Sequence, residues 1–430
     1  MAGVPCLMAA QNWDDHDRSQ KTAARDFAQN YLKSIKKNGV LVTFGDNDTF
    51  PLWYAQEVEG SRTDVRILNF TLSGMYWYVE QLYNKLYQSD PLPFTLPKEF
   101  YGLGHDQTFV MDRSTDYLEV TEVLAMMRDY PERFTVKDQR TGESFYYLPT
   151  KRFKITLDIP ALVKAGVIPA EIADFVNPEI RWEIKSQALY RHELMLLDII
   201  GTNKFQRDIN FMNPNSSGIP DVFPMVNAYT VQDGLNYRFI PYPKQQRYTD
   251  ESADYFINGV DGEPLKWGNL DRDIYIDPVS GQQFATSLHQ IILALATDEQ
   301  AKGHSDKARK LIEMYEKNFP VNNFPVDLYS FYVPLSGNNH IDGIELYKNV
   351  FGQQRAVQLW QAAFKFYSQE IAYLARFQGD KAIGVRSQLQ NDLQIVGLLR
   401  EIAAKTLQDN SLRQQAEALI APFSNLMYND

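Results

Sequence analysis

The sequence has little of what marks several protein classes. A single cysteine, Cys6, in 430 residues excludes an intrachain disulfide and a cysteine-rich zinc site. No run approaches the roughly 20 apolar residues of a membrane-spanning helix. The apolar residues 1–10 lack the basic region of a signal peptide, so the chain is expected to be soluble as it stands. Lysine and arginine number 43 against 54 aspartate and glutamate, a balance that argues against non-specific nucleic-acid binding.

The motifs of common nucleotide and hydrolase sites are also missing. The chain contains no Gly-x-Gly-x-x-Gly dinucleotide motif, no P-loop and no Gly-x-Ser-x-Gly nucleophile elbow. His105 and His192 lack the His-Glu-x-x-His spacing of a zinc-protease helix. We expect His192 to lie on a helix surface or in a satisfied core position.

The composition that remains is that of an ordinary globular protein. Hydrophobic residues make up 44% and charged residues 23%, and 430 residues are enough for two or three domains. Most prolines and nearly all of the excess negative charge precede residue 281. We therefore predict an α/β domain over residues 21–241, an irregular connector over 242–283 and a helical domain over 284–430.

Strand and helix patterns alternate in the first half. Residues 40–44 and 65–70 are apolar runs typical of buried strands, and helical patterns follow them over residues 49–59 and 77–87. This order predicts a parallel sheet with right-handed crossovers. The fold class is thus a three-layer α/β domain with a mostly parallel sheet, interrupted by an insertion near residues 91–150.

The second half has the spacing of amphipathic helices. Ser305 to Phe319 places Ala308, Leu311, Ile312 and Tyr315 on one face before Pro320. That pattern resembles the second helix of a tetratricopeptide unit. We predict an all-α domain of tetratricopeptide-like helical hairpins, with a plain helical bundle as the alternative.

The segment Asp46-Asn47-Asp48 is the most informative candidate site. It follows the first predicted strand, and open α/β sheets hold ligands at the carboxyl ends of their strands. Asp46 and Asp48 are candidate ligands for a divalent cation that would orient a nucleotide sugar. The alternative is structural: Asp46 and Asn47 form an Asx turn and Asp48 caps the next helix.

Two further groups are candidates for binding. Asp14, Asp15 and His16, with Asp17, concentrate groups that ligate metals, although Asp17 or Ser19 could instead cap a helix that begins near Thr22. Aromatic side chains could form a platform for stacking carbohydrate, or simply belong to the core; they are Trp13, Trp53, Tyr54, Trp77 and Tyr78.

Four segments resemble a known family when they are taken as wholes. They are residues 11–19, 44–60, 63–66 and 189–198, which include Gln-Asn-Trp-Asp-Asp-His-Asp-Arg-Ser and Phe-Gly-Asp-Asn-Asp-Thr-Phe-Pro-Leu-Trp-Tyr. The resemblance is to the soluble C-terminal region of a bacterial multi-pass membrane family related to protein O-mannosyltransferase-like glycosyltransferases that use lipid-linked sugars. It covers about the first 240 residues, and the helical remainder matches only in type.

The resemblance implies where the chemistry would lie. A membrane domain would precede Gln11 and carry the catalytic acid, residues 1–20 would be a membrane-proximal linker, and this region would face the periplasm of the inner membrane. Its partners would be that membrane domain and an acceptor protein or glycan. No catalytic residue of the family can be placed on this chain.

Two functions follow from the sequence. In the first, the chain is a non-catalytic periplasmic module that binds an acceptor or partner of a membrane glycosyltransferase. In the second, the α/β half binds or transfers a sugar with a divalent cation held by Asp46 and Asp48. An intracellular scaffold is a third reading.

Overall fold

The computed structural model describes residues 3–13, 17–137, 139, 142–216, 218–272, 274–276, 283–321, 323–324, 332–334 and 340–427. The chain divides into two compact units. The first, here the α/β unit, comprises residues 24–255 and 260–266. The second, here the helical unit, comprises residues 1–23, 256–259 and 267–430.

The larger helices and the strands alternate through the α/β unit. The helices there are α2 Ala23–Lys33, α3 Asp46–Glu57, α4 Tyr76–Leu82, α5 Val120–Asp129, α6 Ile159–Lys164, α7 Arg191–Asn203, α8 Ile219–Val222 and α9 Ser252–Asn258, with α1 Gly3–Gln11 before them. The strands are β1 Val40–Thr43, β2 Arg66–Asn69, β3 Gln107–Val110, β4 Leu118–Glu119, β5 Thr135–Lys137, β6 Ser144–Leu148, β7 Arg152–Thr156, β8 Glu179–Glu183, β9 Ala188–Tyr190, β10 Ile209–Phe211, β11 Thr230–Asp233 and β12 Asn236–Phe239.

The main sheet is mixed. Its strand order is β11-β12-β10-β1-β2, in which β10, β1 and β2 are parallel neighbours and β12 runs antiparallel to both β10 and β11. The two-residue connection between β11 and β12 forces a hairpin, because a parallel crossover needs a dozen or more residues. The α/β class is confirmed, whereas a mostly parallel sheet is not.

The predicted insertion near residues 91–150 contributes to two smaller sheets. One has the order β5-β6-β3-β9 and the other β4-β7-β8, and both contain parallel and antiparallel pairs. These strands are only two to five residues long, so their own sequence carries a weak signal.

Helix α7 lies at the centre of the α/β core. Eleven of its 13 residues are buried, including all positions from Glu193 to Gly201. It packs against α5 so closely that a methyl group on Gly201 would lie 2.3 Å from Cγ1 of Val120. A helix buried on all sides needs its polar groups paired within the protein, and Asp198 meets this requirement with four hydrogen bonds.

The helical unit confirms a helix-rich second half with one correction. Its helices are α10 Gln283–Ala301, α11 Ser305–Asn318, α12 Gly343–Phe351, α13 Gln353–Leu374, α14 Asp380–Lys405, α15 Asn410–Ile420 and α16 Ser424–Met427. The predicted apolar face of α11 is buried. The unit is not all-α, because β13 Tyr332–Pro334 pairs antiparallel with β14 His340–Asp342.

Successive helices in this unit pack against each other, as α10 does on α11 and α13 on α14. The specific likeness to tetratricopeptide repeats stays a prediction. None of the helices among the described residues is both long and apolar enough to cross a bilayer.

Candidate functional site

Three parallel strands of the main sheet end at one edge, here called the carboxyl edge. Val42 of β1 is in register with Phe211 of β10 and with Leu68 of β2. The loops that follow these strands, residues 44–45, 70–75 and 212–216, therefore leave the sheet side by side. This is where α/β sheets hold ligands, and it is where the sequence places Asp46, Asn47 and Asp48.

These three residues form the first turn of α3 and not a separate turn. Gly45 is extended and the helix begins at Asp46, three residues before the predicted start at Thr49. Oδ1 of Asp48 accepts the amide of Gly45 at 2.7 Å, and Oδ2 accepts that of Phe44 at 2.9 Å. Asp48 thus satisfies backbone groups at the helix start, where negative charge is favourable. Asp46 and Asn47 are exposed.

Cation binding by Asp46 and Asp48 stays a prediction, because the Asp48 carboxylate has a structural role at the start of α3. Both of its oxygens already accept backbone amides, so cation binding would have to share them with these donors or displace the donors. No group of three or more potential ligands is placed to hold a metal within the described part of the chain.

A buried polar network supports the carboxyl edge from below. The hydroxyls of Thr43 and Thr49 lie 2.8 Å apart, and the side-chain amide of Asn69 donates to the Thr49 hydroxyl at 2.8 Å. The Asn69 carbonyl oxygen accepts the amide of Leu72 at 2.8 Å. Because every member has partners, this network fixes the loops after β1 and β2 and leaves them little freedom to move.

Aromatic rings form a connected row beside this edge, here called the aromatic ridge and consisting of Phe50, Trp53, Tyr78 and Trp77. The centroid distances are 5.6 Å from Phe50 to Trp53, 6.4 Å from Trp53 to Tyr78 and 5.7 Å from Tyr78 to Trp77. Phe50 is 50% exposed and Trp77 54% exposed. Tyr78 is buried, so it anchors the row to the core.

The other predicted aromatic residues have different positions. Tyr54 lies one turn beyond Phe50 on α3 and is 45% exposed. Trp13 is exposed and belongs to the helical unit. The five predicted aromatic residues therefore do not share one compact unit, and the carboxyl edge has three of them together with Phe50, which the sequence interpretation did not single out.

The start of α7 also reaches the carboxyl edge. The His192 ring packs edge-on against Phe70 at 4.6 Å. His192 is half-buried, between the helix-surface and core positions that the sequence suggested. Gly218, with φ of +87°, lies against Glu193, so that a methyl group there would be 3.1 Å from Oε1 of this carboxyl. These contacts join the loops after β2 and β10 to α7.

The pKa shifts of Glu193 and His192 favour the neutral form of both side chains. Burial raises the pKa of Glu193, whose Oε2 accepts the amide of Tyr190 at 2.8 Å. Burial and then the charge of Arg191 lower the pKa of His192. The sequence interpretation missed Glu193 as a neighbour of the carboxyl edge, because more than 120 residues separate it from β2.

In the acidic cluster near the N-terminus, the structure describes Asp17. Asp14, Asp15 and His16 lie outside the described residues. Asp17 accepts the backbone amide of Ser19 at 2.8 Å. Hydrogen bonds from the Ser19 side chain and then from its backbone amide lower the pKa of Asp17. Helix α2 begins only at Ala23, so Asp17 closes a turn before the helix and does not cap it.

Comparison with known proteins identifies the family. The family model described as TMEM260-associated domain 2 matches residues 24–257, more than half of the chain. The chain therefore belongs to this family. No curated protein and no solved structure has a significant match to it.

Proposed function

We propose that this member of the TMEM260-associated domain 2 family is the periplasmic module of a membrane-bound glycosyltransferase-like protein. In this proposal it binds the acceptor of that protein and does not itself transfer sugar. The family description associates the domain with a protein named as transmembrane. The sequence resemblance supplies the glycosyltransferase relation, the bacterial setting and the partner, a membrane domain of the same parent protein.

The aromatic ridge is the observation that carries the binding role. Phe50 and Trp77 each leave half of their surface in solvent, although large apolar side chains are normally buried. Exposed aromatic rings next to hydrogen-bonding groups are typical of recognition surfaces. Asp46 and Asn47, both exposed, supply such groups one turn before Phe50.

The hydrogen-bonded polar groups of the carboxyl edge support a non-catalytic role. Asp48 bonds to two backbone amides, and Thr43, Thr49 and Asn69 bond to one another. These side chains hold loops in place, whereas a catalytic acid or base must be within reach of its substrate. To solvent the edge presents the rings of Phe50 and Trp77 together with the polar side chains of Asp46 and Asn47.

The second candidate function uses the same edge with a cation. Asp46 and Asn47 are exposed at the end of β1, the position at which α/β sheets bind ligands. In that case Asp46 and Asp48 would hold Mn²⁺ or Mg²⁺ and orient a nucleotide sugar.

Calorimetry distinguishes the two candidates. The chain is titrated with a serine- and threonine-rich peptide, with the same peptide carrying O-linked hexose, and with Mn²⁺ plus UDP-glucose or GDP-mannose. Our proposal predicts heat with a peptide in the absence of Mn²⁺, and that this heat is lost in Trp77→Ala. Heat only with Mn²⁺ and a nucleotide sugar, lost in Asp46→Ala, would favour the second function and contradict the first.

A further inference from the structure

The helical hairpin of α13 and α14 ends in a segment that adds no buried residue to the helical unit. Leu374 is the last buried residue of α13, and Leu389 is the first buried residue of α14. Residues 375–388, here called the hairpin tip, are all exposed or half-buried. The part of α14 that precedes Leu389 spans about 13 Å, so the fold does not need these side chains for its core.

The hairpin tip is positively charged in an acidic chain. It contains the cations Arg376, Lys381 and Arg386 and one carboxylate, Asp380, a balance of +2, whereas the whole chain carries −11. The ion pairs that the structure describes between α10 and α15 use other cations and none of these three; those cations are Lys302, His304, Arg355, Arg400, Lys405 and Arg413.

The surroundings of the hairpin tip add little negative charge. Glu370, the next acid on α13, is half-buried and precedes the end of that helix by four residues. Asp392, the next acid on α14, is buried. Residues 421–427, which pack beside α14 through α16, contain no charged side chain. The three cations are therefore available to an anionic partner.

Apolar side chains are exposed beside these cations. Ile383 is 73% exposed and lies about 120° around α14 from the buried Leu389. Tyr373, at the end of α13, is 54% exposed, and its ring packs edge-on against Phe377 at 5.3 Å. A methyl group on Gly384 would have no neighbour within 4 Å, so nothing in the described part of the chain packs on α14 at this position.

We propose that the hairpin tip docks on an anionic lipid bilayer. Arg376, Lys381 and Arg386 contact the headgroups, and Ile383 with the Tyr373–Phe377 pair enters the boundary with the acyl chains. Long cationic side chains next to apolar ones are typical of surfaces that bind this boundary. An acidic protein would attract the same cations, but charge alone gives no reason for Ile383 to be exposed among them. The proposal rests on the helical unit alone and is independent of the aromatic ridge.

Flotation of the full chain with lipid vesicles tests the proposal. One set of vesicles contains phosphatidylglycerol and phosphatidylcholine in equal parts, and the other contains phosphatidylcholine only. Each lysine or arginine near an anionic surface adds about fivefold in affinity, so three of them predict a preference on the order of a hundredfold for the anionic vesicles. We expect this preference to fall as the salt concentration rises.

Charge reversal at the hairpin tip has a matched control. Lys381→Glu combined with Arg386→Glu is expected to weaken binding to the anionic vesicles at least about 20-fold. Lys310→Glu combined with Lys317→Glu makes the same change in net charge at exposed positions of α11. This control is expected to leave the affinity within about twofold, because exposed charges far from the contact are screened.

A second pair of variants tests the apolar contact. Ile383→Glu is expected to weaken binding at least about fivefold, and Leu103→Glu, at an exposed position of the α/β unit, is expected to leave it unchanged. In a chain with Cys6→Ser and Ile383→Cys, an environment-sensitive dye on the new thiol should shift its emission to the blue with anionic vesicles. The same dye on Leu103→Cys should not shift. Circular dichroism checks that each variant is folded.

Salt-sensitive binding that prefers anionic vesicles, falls in both tip variants and survives in both controls supports the proposal. It is overturned if the chain binds both kinds of vesicle equally or neither, if the α11 control loses as much affinity as the tip variant, or if Ile383→Glu keeps full affinity. Loss of vesicle binding in Trp77→Ala with full binding in the tip variants would assign the bilayer contact to the aromatic ridge and also overturn it.

Discussion

The carboxyl group of Asp198 offers a direct test of how the core of the α/β unit is held together. Asp198 is fully buried on α7. Its Oδ1 accepts the amide of Thr95 at 2.7 Å and the hydroxyl of Thr202 at 2.9 Å. Its Oδ2 accepts the amide of Leu96 and the hydroxyl of Tyr101, both at 2.9 Å. One side chain therefore fastens the segment after α4 to the central helix.

Two effects act on this group in opposite directions. Burial raises the pKa of Asp198 to about 6, and the four donors, which favour the charged form, oppose the rise. Since the ordinary value is 3.8, the folded protein binds a proton between pH 3.8 and about 6 that the unfolded chain releases. The contribution of Asp198 to stability is therefore full below pH 3.8 and is lost as the pH rises through about 6.

The size of this effect follows from the same two values. The interval between 3.8 and about 6 corresponds to about 3 kcal/mol in the free energy of unfolding, at about 1.4 kcal/mol for each pH unit. About 1 kcal/mol of it falls between pH 7 and pH 5. The variant Asp198→Asn cannot titrate, so it lacks this dependence.

Asp198→Asn also loses hydrogen bonds. An amide group has one oxygen, so its NH₂ must face either the amide of Thr95 or that of Leu96, and neither backbone donor can rotate away. One unpaired buried donor costs about 1–3 kcal/mol. We expect the variant to be destabilised by this amount at pH 7, with faster hydrogen exchange over residues 91–101.

Urea unfolding at pH 7 and pH 5 measures both effects. The wild-type chain is expected to gain about 1 kcal/mol over Asp198→Asn when the pH falls from 7 to 5. The exposed Asp174→Asn serves as the control for loss of a charge. A stability gap that stays constant or narrows as the pH falls would show that the donors outweigh burial and that the reasoning about this carboxyl is wrong.

Four other substitutions test separate parts of the structure. Gly201→Ala places a methyl group 2.3 Å from Val120 and should lower the free energy of unfolding by about 1–3 kcal/mol. Gly384→Ala, in α14 with open space around it, should raise the free energy of unfolding by about 0.5–1 kcal/mol. Urea unfolding compares the two variants. Arg66→Met should lower the free energy of unfolding of the chain by about 3 kcal/mol in the same assay. In the wild-type chain Nη2 of Arg66 lies 2.8 Å from the Asn84 carbonyl and 3.1 Å from the Asp90 carbonyl, and the variant removes that donor. A loss below about 1 kcal/mol would contradict this prediction. Burial lowers the pKa of His289 from 6.5 to about 3, so the stability that this group contributes is full above pH 6.5 and is lost as the pH falls toward 3. His289→Phe should therefore reduce the acid sensitivity of the helical unit. An unchanged pH profile of unfolding in this variant would contradict the prediction.

The sequence was most informative where burial alone decides the structure. The apolar runs of β1 and β2 and the amphipathic face of α11 predicted elements that the structure contains. The start of α3 was placed three residues too late, since Gly-Asp-Asn-Asp is typical of a turn. The Thr49 amide donates to the Gly45 carbonyl at 3.1 Å, which shows that the helix already begins there. The amides of Phe44 and Gly45 donate to Asp48 and satisfy the start of the helix.

Long-range pairing could not be predicted from local pattern. The short strands β3 and β4 depend on partners distant in sequence, β9 for the first and β7 for the second. The side chain of Asn69 contacts Thr49 because β1 and β2 are neighbours in a fixed register. Neither residue type predicts that hydrogen bond from the sequence. Glu193 reaches the carboxyl edge for the same reason, through the fold and not through a motif.

The most direct test of the acceptor-binding proposal compares two exposed phenylalanines of the α/β unit. Phe50 lies in the aromatic ridge, and Phe175, which is 84% exposed, lies outside it. Phe50→Ala and Phe175→Ala are each titrated calorimetrically with the serine- and threonine-rich peptide and with its O-hexosylated form. We predict that Phe50→Ala weakens binding at least about tenfold and that Phe175→Ala leaves it unchanged. Equal affinity in the two variants, or no binding of either peptide to the wild-type chain, would contradict the proposal.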